Sequence, residues 1–112
     1  MIKIILDDYI HPSLNKWTNW HWTKKSEQKK FCEELVYYAS KKYHNLLLDD
    51  CKITIVYYFD NKHKRDKDNY TPKFIMDGLV KAKVILDDNT TNVFLNWKLD
   101  YSKNKRTEID ID

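Results

Sequence analysis

Hydrophobic and polar side chains alternate in four stretches of the chain, and each stretch predicts a β-strand. The stretches are residues 1–6, 49–59, 93–101 and 106–111, in which apolar or aromatic residues recur at every second position. Such alternation places the apolar side chains on one face of a sheet. Lys103-Asn104 has the composition of a turn, so we expect the last two strands to pair with each other as a hairpin.

Two other stretches have helical spacing. After Ser26, a suitable N-cap, apolar residues recur every three or four positions as far as Tyr43, which predicts a helix over residues 26–43. Thr71-Pro72 predicts the start of a second helix, because proline at the first helical position loses no needed hydrogen bond. Residues 11–25, before the first helix, are expected to be irregular.

The predicted element order is therefore strand, helix, strand, helix, strand, strand. This order predicts an α+β fold, with a small mixed sheet of about four strands and two helices packed on one face. A length of 112 residues indicates one domain, residues 1–112, with one modest core. Cys32 and Cys51 are expected to be buried and unpaired.

Composition excludes several classes of function. Gly78 is the only glycine, which excludes a glycine-rich phosphate loop and with it a nucleotide cofactor. The chain has no apolar run of membrane-spanning length and no signal-like N-terminus, so we expect a cytoplasmic protein without a membrane partner. A net charge of +3 is compatible with a nucleic-acid partner without requiring one.

The aspartates after the second predicted strand are candidate metal ligands. If the chain remains extended there, the carboxylates of Asp66 and Asp68 point the same way, roughly 6.6 Å apart, and a divalent metal would relieve their repulsion. Asp88, with Asp87 beside it, would complete the set if the turn after the second helix folds back. Solvated surface turns are the alternative, because aspartate is a common turn former. A calcium EF-hand loop is excluded, because Thr71 stands where that loop needs glycine.

Cations surround the acidic pair. Lys73 lies in the first turn of the second helix, where a cation opposes the helix dipole unless an aspartate or a phosphate lies nearby. It is also four residues from Asp77 and can pair with it. Lys62, Lys64 and Arg65 precede the acidic pair, so we expect them to contact phosphates and to offset the repulsion between the aspartates and DNA.

The segment between the first strand and the first helix interleaves tryptophans with lysines. A loop of this composition can stack on unpaired bases and hold phosphates. The alternative is that the tryptophans cover the core or form a dimer contact, where tryptophan is also common. The candidate DNA-binding residues of this segment are Lys16, Trp17, Trp20, Trp22, Lys24 and Lys25.

The order of these motifs resembles the RusA family of Holliday junction resolvases. The motifs are Arg65-Asp66-Lys67-Asp68-Asn69, Lys73, Asp77-Gly78-Leu79 and Leu86-Asp87-Asp88, preceded by His11-Pro12-Ser13-Leu14-Asn15. The resemblance covers nearly the whole chain. One departure is the interval from Asp68 to Lys73, which is one residue longer than in the best-known members of the family.

The resemblance implies a homodimeric endonuclease that binds four-way DNA junctions and cuts symmetrically related strands with Mg²⁺ or Mn²⁺. Asp66, Asp68 and Asp88 match the family's metal-binding aspartates, and Lys73 matches its functional lysine. The secondary candidates in the same motifs are Asn69, Asp77 and Asp87. A junction- or DNA-binding protein without catalysis and a small interaction module are the competing hypotheses.

Overall fold

The computed structural model describes residues 1–87 and 92–112. Within this part of the chain the strands are β1 (Ile2–Asp7), β2 (Cys51–Phe59), β3 (Val93–Tyr101) and β4 (Arg106–Ile111). The α-helices are α1 (Leu14–Trp17), α2 (Trp22–Ala39) and α3 (Lys73–Lys81). Two 3₁₀ turns cover Lys41–Tyr43 and Lys67–Tyr70.

The four strands form one mixed sheet in the order β1-β4-β2-β3. β4 lies antiparallel between β1 and β2, so Ile109 is paired with Ile4 on one side and with Ile55 on the other. β3 runs parallel to β2, with Trp97 opposite Ile55. The predicted α+β class with a small mixed sheet is therefore confirmed.

The predicted hairpin between the last two strands is wrong. β3 pairs with β2, and β4 pairs with β1 and β2, so β2 separates the two strands that were expected to be neighbours. The connection passes the end of β2, where the N–H of Ser102 donates to the carbonyl of Phe59 at 2.9 Å. It has to cross two strand spacings, about 9.6 Å, which a short extended segment spans easily. Ile109 and Ile111 of β4 are buried, as suits a central strand.

The two predicted helices are both present with shifted bounds. α2 begins before the predicted cap Ser26, because the side chain of His21 accepts a hydrogen bond from the backbone of the first turn. It ends at Ala39, and the last predicted residues form a 3₁₀ turn. α3 begins one residue later than predicted, with Pro72 at the N-cap position. Residues 11–25, expected to be irregular, contain α1 and the start of α2.

The core lies between the sheet and the helices α2 and α3. Ile53 and Ile109 from the sheet belong to one buried cluster with Val36 of α2 and Leu79 of α3. Both cysteines are buried and unpaired, as predicted. Among the described residues, no helix combines the length and the apolar composition needed to cross a membrane.

Candidate functional site

The first acidic segment forms a turn, residues 66–70, which we call the acidic turn. Asp66 is the N-cap of its 3₁₀ helix, and Oδ1 of Asp66 accepts a hydrogen bond from the N–H of Asp68 at 3.1 Å. The extended conformation expected for this pair is therefore wrong, because a capping carboxylate bends the chain into a turn. Both aspartates are exposed, and among the described residues neither carboxylate forms an ion pair.

Long-range hydrogen bonds hold the acidic turn in place. The indole Nε1–H of Trp97 in β3 donates to the carbonyl of Lys67 at 3.0 Å. The N–H of Asn15 in α1 donates to Oδ1 of Asn69 at 2.9 Å. The hydroxyl of Tyr57 in β2 donates to the last carbonyl of the turn at 2.9 Å. Three separate elements therefore fix the position of an exposed acidic segment.

A buried histidine that the sequence reasoning missed joins the N-terminal segment to α3. His11 is fully buried, and its Nε2 accepts a hydrogen bond from the N–H of Phe74 at 2.9 Å. Nδ1 therefore carries the proton of the neutral ring and donates to the carbonyl of Pro12 at 2.8 Å. Burial lowers the pKa of His11 to about 4. No local spacing marks this role, because the partner of His11 lies 63 residues away.

Lys73 lies in the first turn of α3 and pairs with Asp77, as the spacing predicts. Nζ of Lys73 is 3.3 Å from Oδ1 of Asp77, and Nζ of Lys29 in α2 is 3.3 Å from Oδ2 of the same carboxylate. The Lys73 side chain is mostly exposed, so its ion pair contributes little energy and can be exchanged for a phosphate. Asp77 contacts two lysines, which makes it a weak candidate for a metal ligand.

Asp87, from the second acidic segment, lies near a different part of the sheet. Asp88 lies outside the described residues. Asp87 is exposed and lines a small cleft with Asp49 and Asn92, near the starts of β2 and β3. The acidic turn instead contacts β3 at Trp97, which is roughly 13 Å from the start of that strand at the usual rise per residue. Among the described residues, no three His, Cys, Asp or Glu side chains come close enough together to hold a metal ion.

The three predicted phosphate-binding cations lie on the loop before the acidic turn. Lys62 and Lys64 are exposed, whereas Arg65 is partly buried. The Arg65 guanidinium stacks on Phe59, with Cζ 3.8 Å from the ring centroid, and it donates to Oδ1 of Asn61 at 2.6 Å. Neutral groups thus fix the position of this guanidinium.

The tryptophan-rich segment is divided between the core and the surface. Trp17 and Trp20 are half-buried against the core, where the Trp17 ring lies 5.3 Å from the Phe74 ring. Nζ of Lys25 lies 4.7 Å from the centroid of the Trp17 ring. Trp22, in contrast, is 74 % exposed and available for stacking on a ligand. The other predicted DNA-binding lysines of the segment, both exposed, are Lys16 and Lys24.

Comparison with known proteins adds no family assignment. No protein-family model matches the chain, and no curated protein is significantly similar to it. The resemblance to RusA resolvases therefore depends on the motif residues alone.

Proposed function

We propose that the protein is a metal-dependent endodeoxyribonuclease that cleaves branched DNA, with four-way junctions as its main substrate. One observation carries the proposal: two exposed aspartates lie on a turn that is fixed by hydrogen bonds from β2, β3 and α1. Ordering a surface turn costs conformational entropy, and a turn that served only solubility would have no use for a fixed geometry. A turn with a fixed backbone that carries two carboxylates is suited to a metal centre.

The charges around the acidic turn suit a polyanionic substrate. Arg65 directly precedes Asp66, Lys67 follows it, and Lys73 lies close by in the first turn of α3. Nζ of Lys67 donates to Oδ1 of Asn96 at 3.2 Å, a neutral partner. Cations that flank carboxylates without neutralising them attract phosphates and reduce the repulsion between the aspartates and DNA.

The two aspartates fit an Mg²⁺ or Mn²⁺ ion that keeps several waters. Asp66 uses one carboxylate oxygen as a turn cap, which leaves its second oxygen for a cation, and Asp68 is exposed. Mg²⁺ is usually held through one or two carboxylates together with waters and substrate phosphates. Asp88, which lies outside the described residues, is proposed as the third ligand from the motif order alone. This role requires it to reach the acidic turn from the position of Asp87, near the start of β3. The chemistry that such an ion supplies when bound is activation of a water and neutralisation of the charge that develops on the phosphate.

The remaining groups of the site bind and orient the substrate. Lys73 is proposed to hold a non-bridging oxygen of the scissile phosphate, since its surface ion pair with Asp77 is easily exchanged. Lys64 and Arg65 are proposed to hold neighbouring phosphates. Cutting two symmetrically related strands of a junction requires two sites, so the active form is proposed to be a homodimer.

Cleavage of a synthetic four-way junction in Mg²⁺ or Mn²⁺ tests the proposal. The wild type is expected to cut the junction, and Asp68→Asn is expected to bind it without cutting it. The matched control is Asp60→Asn, which makes the same charge change at another exposed aspartate, just after β2. The control is expected to cut as the wild type does. Equal cutting by Asp68→Asn and the wild type would contradict the assignment of the site.

A junction- or DNA-binding protein without catalysis is the second candidate. The role of Asp66 as a turn cap favours it, because capping gives this carboxylate a structural use. This candidate predicts that a four-way junction is retarded in a gel, that salt weakens the binding, and that no metal produces nicks.

A further inference from the structure

Two aromatic rings, each covered by a cation, lie side by side where β2 and β3 end. Phe59 and Tyr101 are register partners on these parallel strands, so they share a face of the sheet, on strands about 4.8 Å apart. The Arg65 guanidinium lies 3.8 Å from the Phe59 ring centroid, and Nζ of Lys62 lies 5.0 Å from that of Tyr101. Both cations come from the loop that leads into the acidic turn.

These groups line a cleft of about 360 Å³, which we call the cation–aromatic cleft. Its lining residues include Phe59, Lys62, Arg65, Leu99, Asp100 and Tyr101. The volume is at the lower end of the range for small-ligand sites and suits a single nucleotide. Tyr101 is 41 % exposed, so a ligand can reach its ring when the flexible Lys62 side chain moves aside. Oδ1 of Asp100 accepts a hydrogen bond from the N–H of Tyr101 at 2.8 Å.

Arg65 provides a preorganised cation at this cleft. Its guanidinium donates to the carbonyl of His63 at 3.0 Å and to Oδ1 of Asn61 at 2.6 Å, and both acceptors are neutral. In the part of the chain that the structure describes, no carboxylate lies within ion-pair distance of Arg65. A guanidinium that is fixed in position and not neutralised is well suited to bind a phosphate.

We infer that the cation–aromatic cleft binds one unpaired nucleotide of a DNA strand, with its phosphate at Arg65 and its base stacked on Tyr101. A base inside a duplex is already stacked on both faces, whereas an unpaired base has a free face for an aromatic ring. Asp66 follows Arg65 directly, so the bound nucleotide lies beside the acidic turn. The inference rests on the proposed function for the choice of DNA as the ligand.

Fluorescence anisotropy with a short fluorescein-labelled oligothymidylate tests the inference, in EDTA so that cleavage plays no part. Tyr101→Ala is expected to weaken binding of this strand by about tenfold and to leave binding of a duplex of equal length within about twofold. The matched control is Phe94→Ala, since Phe94 is an exposed aromatic residue on the opposite face of the same strand. The control is expected to leave both affinities unchanged.

Unchanged binding of the single strand by Tyr101→Ala, or an equal loss for strand and duplex, overturns the inference. Tyr101→Leu keeps an apolar side chain without a π-face and gives the same readout if the alanine variant does not fold. If free dTMP displaced the labelled strand at concentrations as low as those needed with unlabelled oligothymidylate, the cleft would be a mononucleotide site, and this result would also overturn the inference. Because these experiments measure binding and not cleavage, they can support or overturn the inference even if the protein proves not to be a nuclease.

Photocrosslinking gives a second readout on the unmodified protein. An oligonucleotide that carries 5-iodouracil is irradiated with the wild type, and the adduct is located by mass spectrometry. The adduct is expected on Tyr101, because a base stacked on this ring brings the reactive carbon next to it. Adducts confined to residues outside the cation–aromatic cleft would overturn the inference.

Discussion

Nε2 of His11 accepts a hydrogen bond from the backbone N–H of Phe74 at 2.9 Å, which satisfies one of the free amides at the start of α3. The same histidine donates from Nδ1 to the carbonyl of Pro12. The segment that follows Pro12 supplies Asn15, whose N–H holds Asn69 in the acidic turn. His11 therefore connects the start of α3 to the segment that positions the candidate site.

We predict that His11 makes the stability of the protein dependent on pH. The pKa of His11 is about 4 in the folded protein and 6.5 in the unfolded chain, chiefly because of burial, although the hydrogen bond to the Pro12 carbonyl and the nearby Asp77 carboxylate raise it somewhat. The unfolded state therefore binds more protons between these two values. The free energy of unfolding is therefore expected to be highest above pH 6.5. It is expected to fall by about 3 kcal/mol as the pH decreases to about 4. Urea unfolding at several pH values measures it.

The variant His11→Gln tests this linkage. Its amide oxygen can still accept from the N–H of Phe74, but it does not titrate. The free energy of unfolding of this variant is expected to change less between pH 6.5 and pH 4 than that of the wild type. His63→Gln is the matched control, since His63 is exposed, and it is expected to keep the wild-type profile. A wild-type profile in His11→Gln would contradict the prediction.

Asp66 caps the acidic turn and is proposed to bind the metal, and different substitutions can separate these two roles. Asp66→Asn keeps an oxygen that can cap the turn but removes the charge, so the free energy of unfolding is expected to change by less than about 0.5 kcal/mol. Its affinity for Mn²⁺, measured by electron paramagnetic resonance, is expected to fall at least about tenfold. Asp66→Ala is expected to lose both the metal and about 1 kcal/mol of stability. Wild-type Mn²⁺ binding by Asp66→Asn would leave Asp66 with the capping role alone.

Local pattern was sufficient to predict the elements but not their neighbours. The alternation in residues 93–101 and 106–111 correctly located two strands, yet it carries no information about pairing partners. β4 joins β1 and β2, and only contacts between distant parts of the chain determine this arrangement. The early start of α2 was missed for a local reason, because histidine, here His21, is not among the common N-cap residues.

For the candidate site, the sequence predicts the residues that are close together along the chain but not the distant groups that hold them in place. Asp66, Asp68 and Lys73 are close in sequence, so their spacing placed them near the start of α3. The groups that fix the acidic turn, Trp97 and Asn15, come from β3 and α1 and have no sequence signal that links them to it. Long-range hydrogen bonds of this kind depend on the packed fold.

Lys73 is expected to contact a phosphate of bound DNA. Each phosphate contact that is removed lowers the slope of log Kd against log salt concentration by about 0.9 for duplex DNA. Lys73→Ala is therefore expected to reduce the slope by about this amount, measured by anisotropy with a four-way junction. Lys81→Ala is the matched control, because Lys81 is also an exposed lysine of α3 in an ion pair, here with Glu33. Equal slopes for Lys73→Ala and the wild type would show that Lys73 does not contact a phosphate of the bound DNA.

Gly78 of α3 packs directly against Val36 of α2. A Cβ atom at this position would lie 3.1 Å from Cβ and 3.2 Å from Cγ2 of Val36. Alanine is favoured over glycine in a helix by about 1 kcal/mol, but overpacking a core contact costs about 1–3 kcal/mol. Because Cβ of Val36 is fixed to the backbone of α2, the whole helix has to move. Gly78→Ala is therefore expected to lower the free energy of unfolding by about 1 kcal/mol, measured by urea unfolding.

A double-mutant cycle with Val36→Ala distinguishes overpacking from any other effect of Gly78→Ala. Removing Cγ2 of Val36 takes away one of the two closest contacts, so part of the strain is relieved. The double variant is expected to be more stable than the sum of the two single changes predicts, by about 0.5 kcal/mol or more. Additive losses would show that Gly78→Ala acts elsewhere. A more stable Gly78→Ala protein would mean that the two helices separate easily, and that helix propensity outweighs packing at this contact.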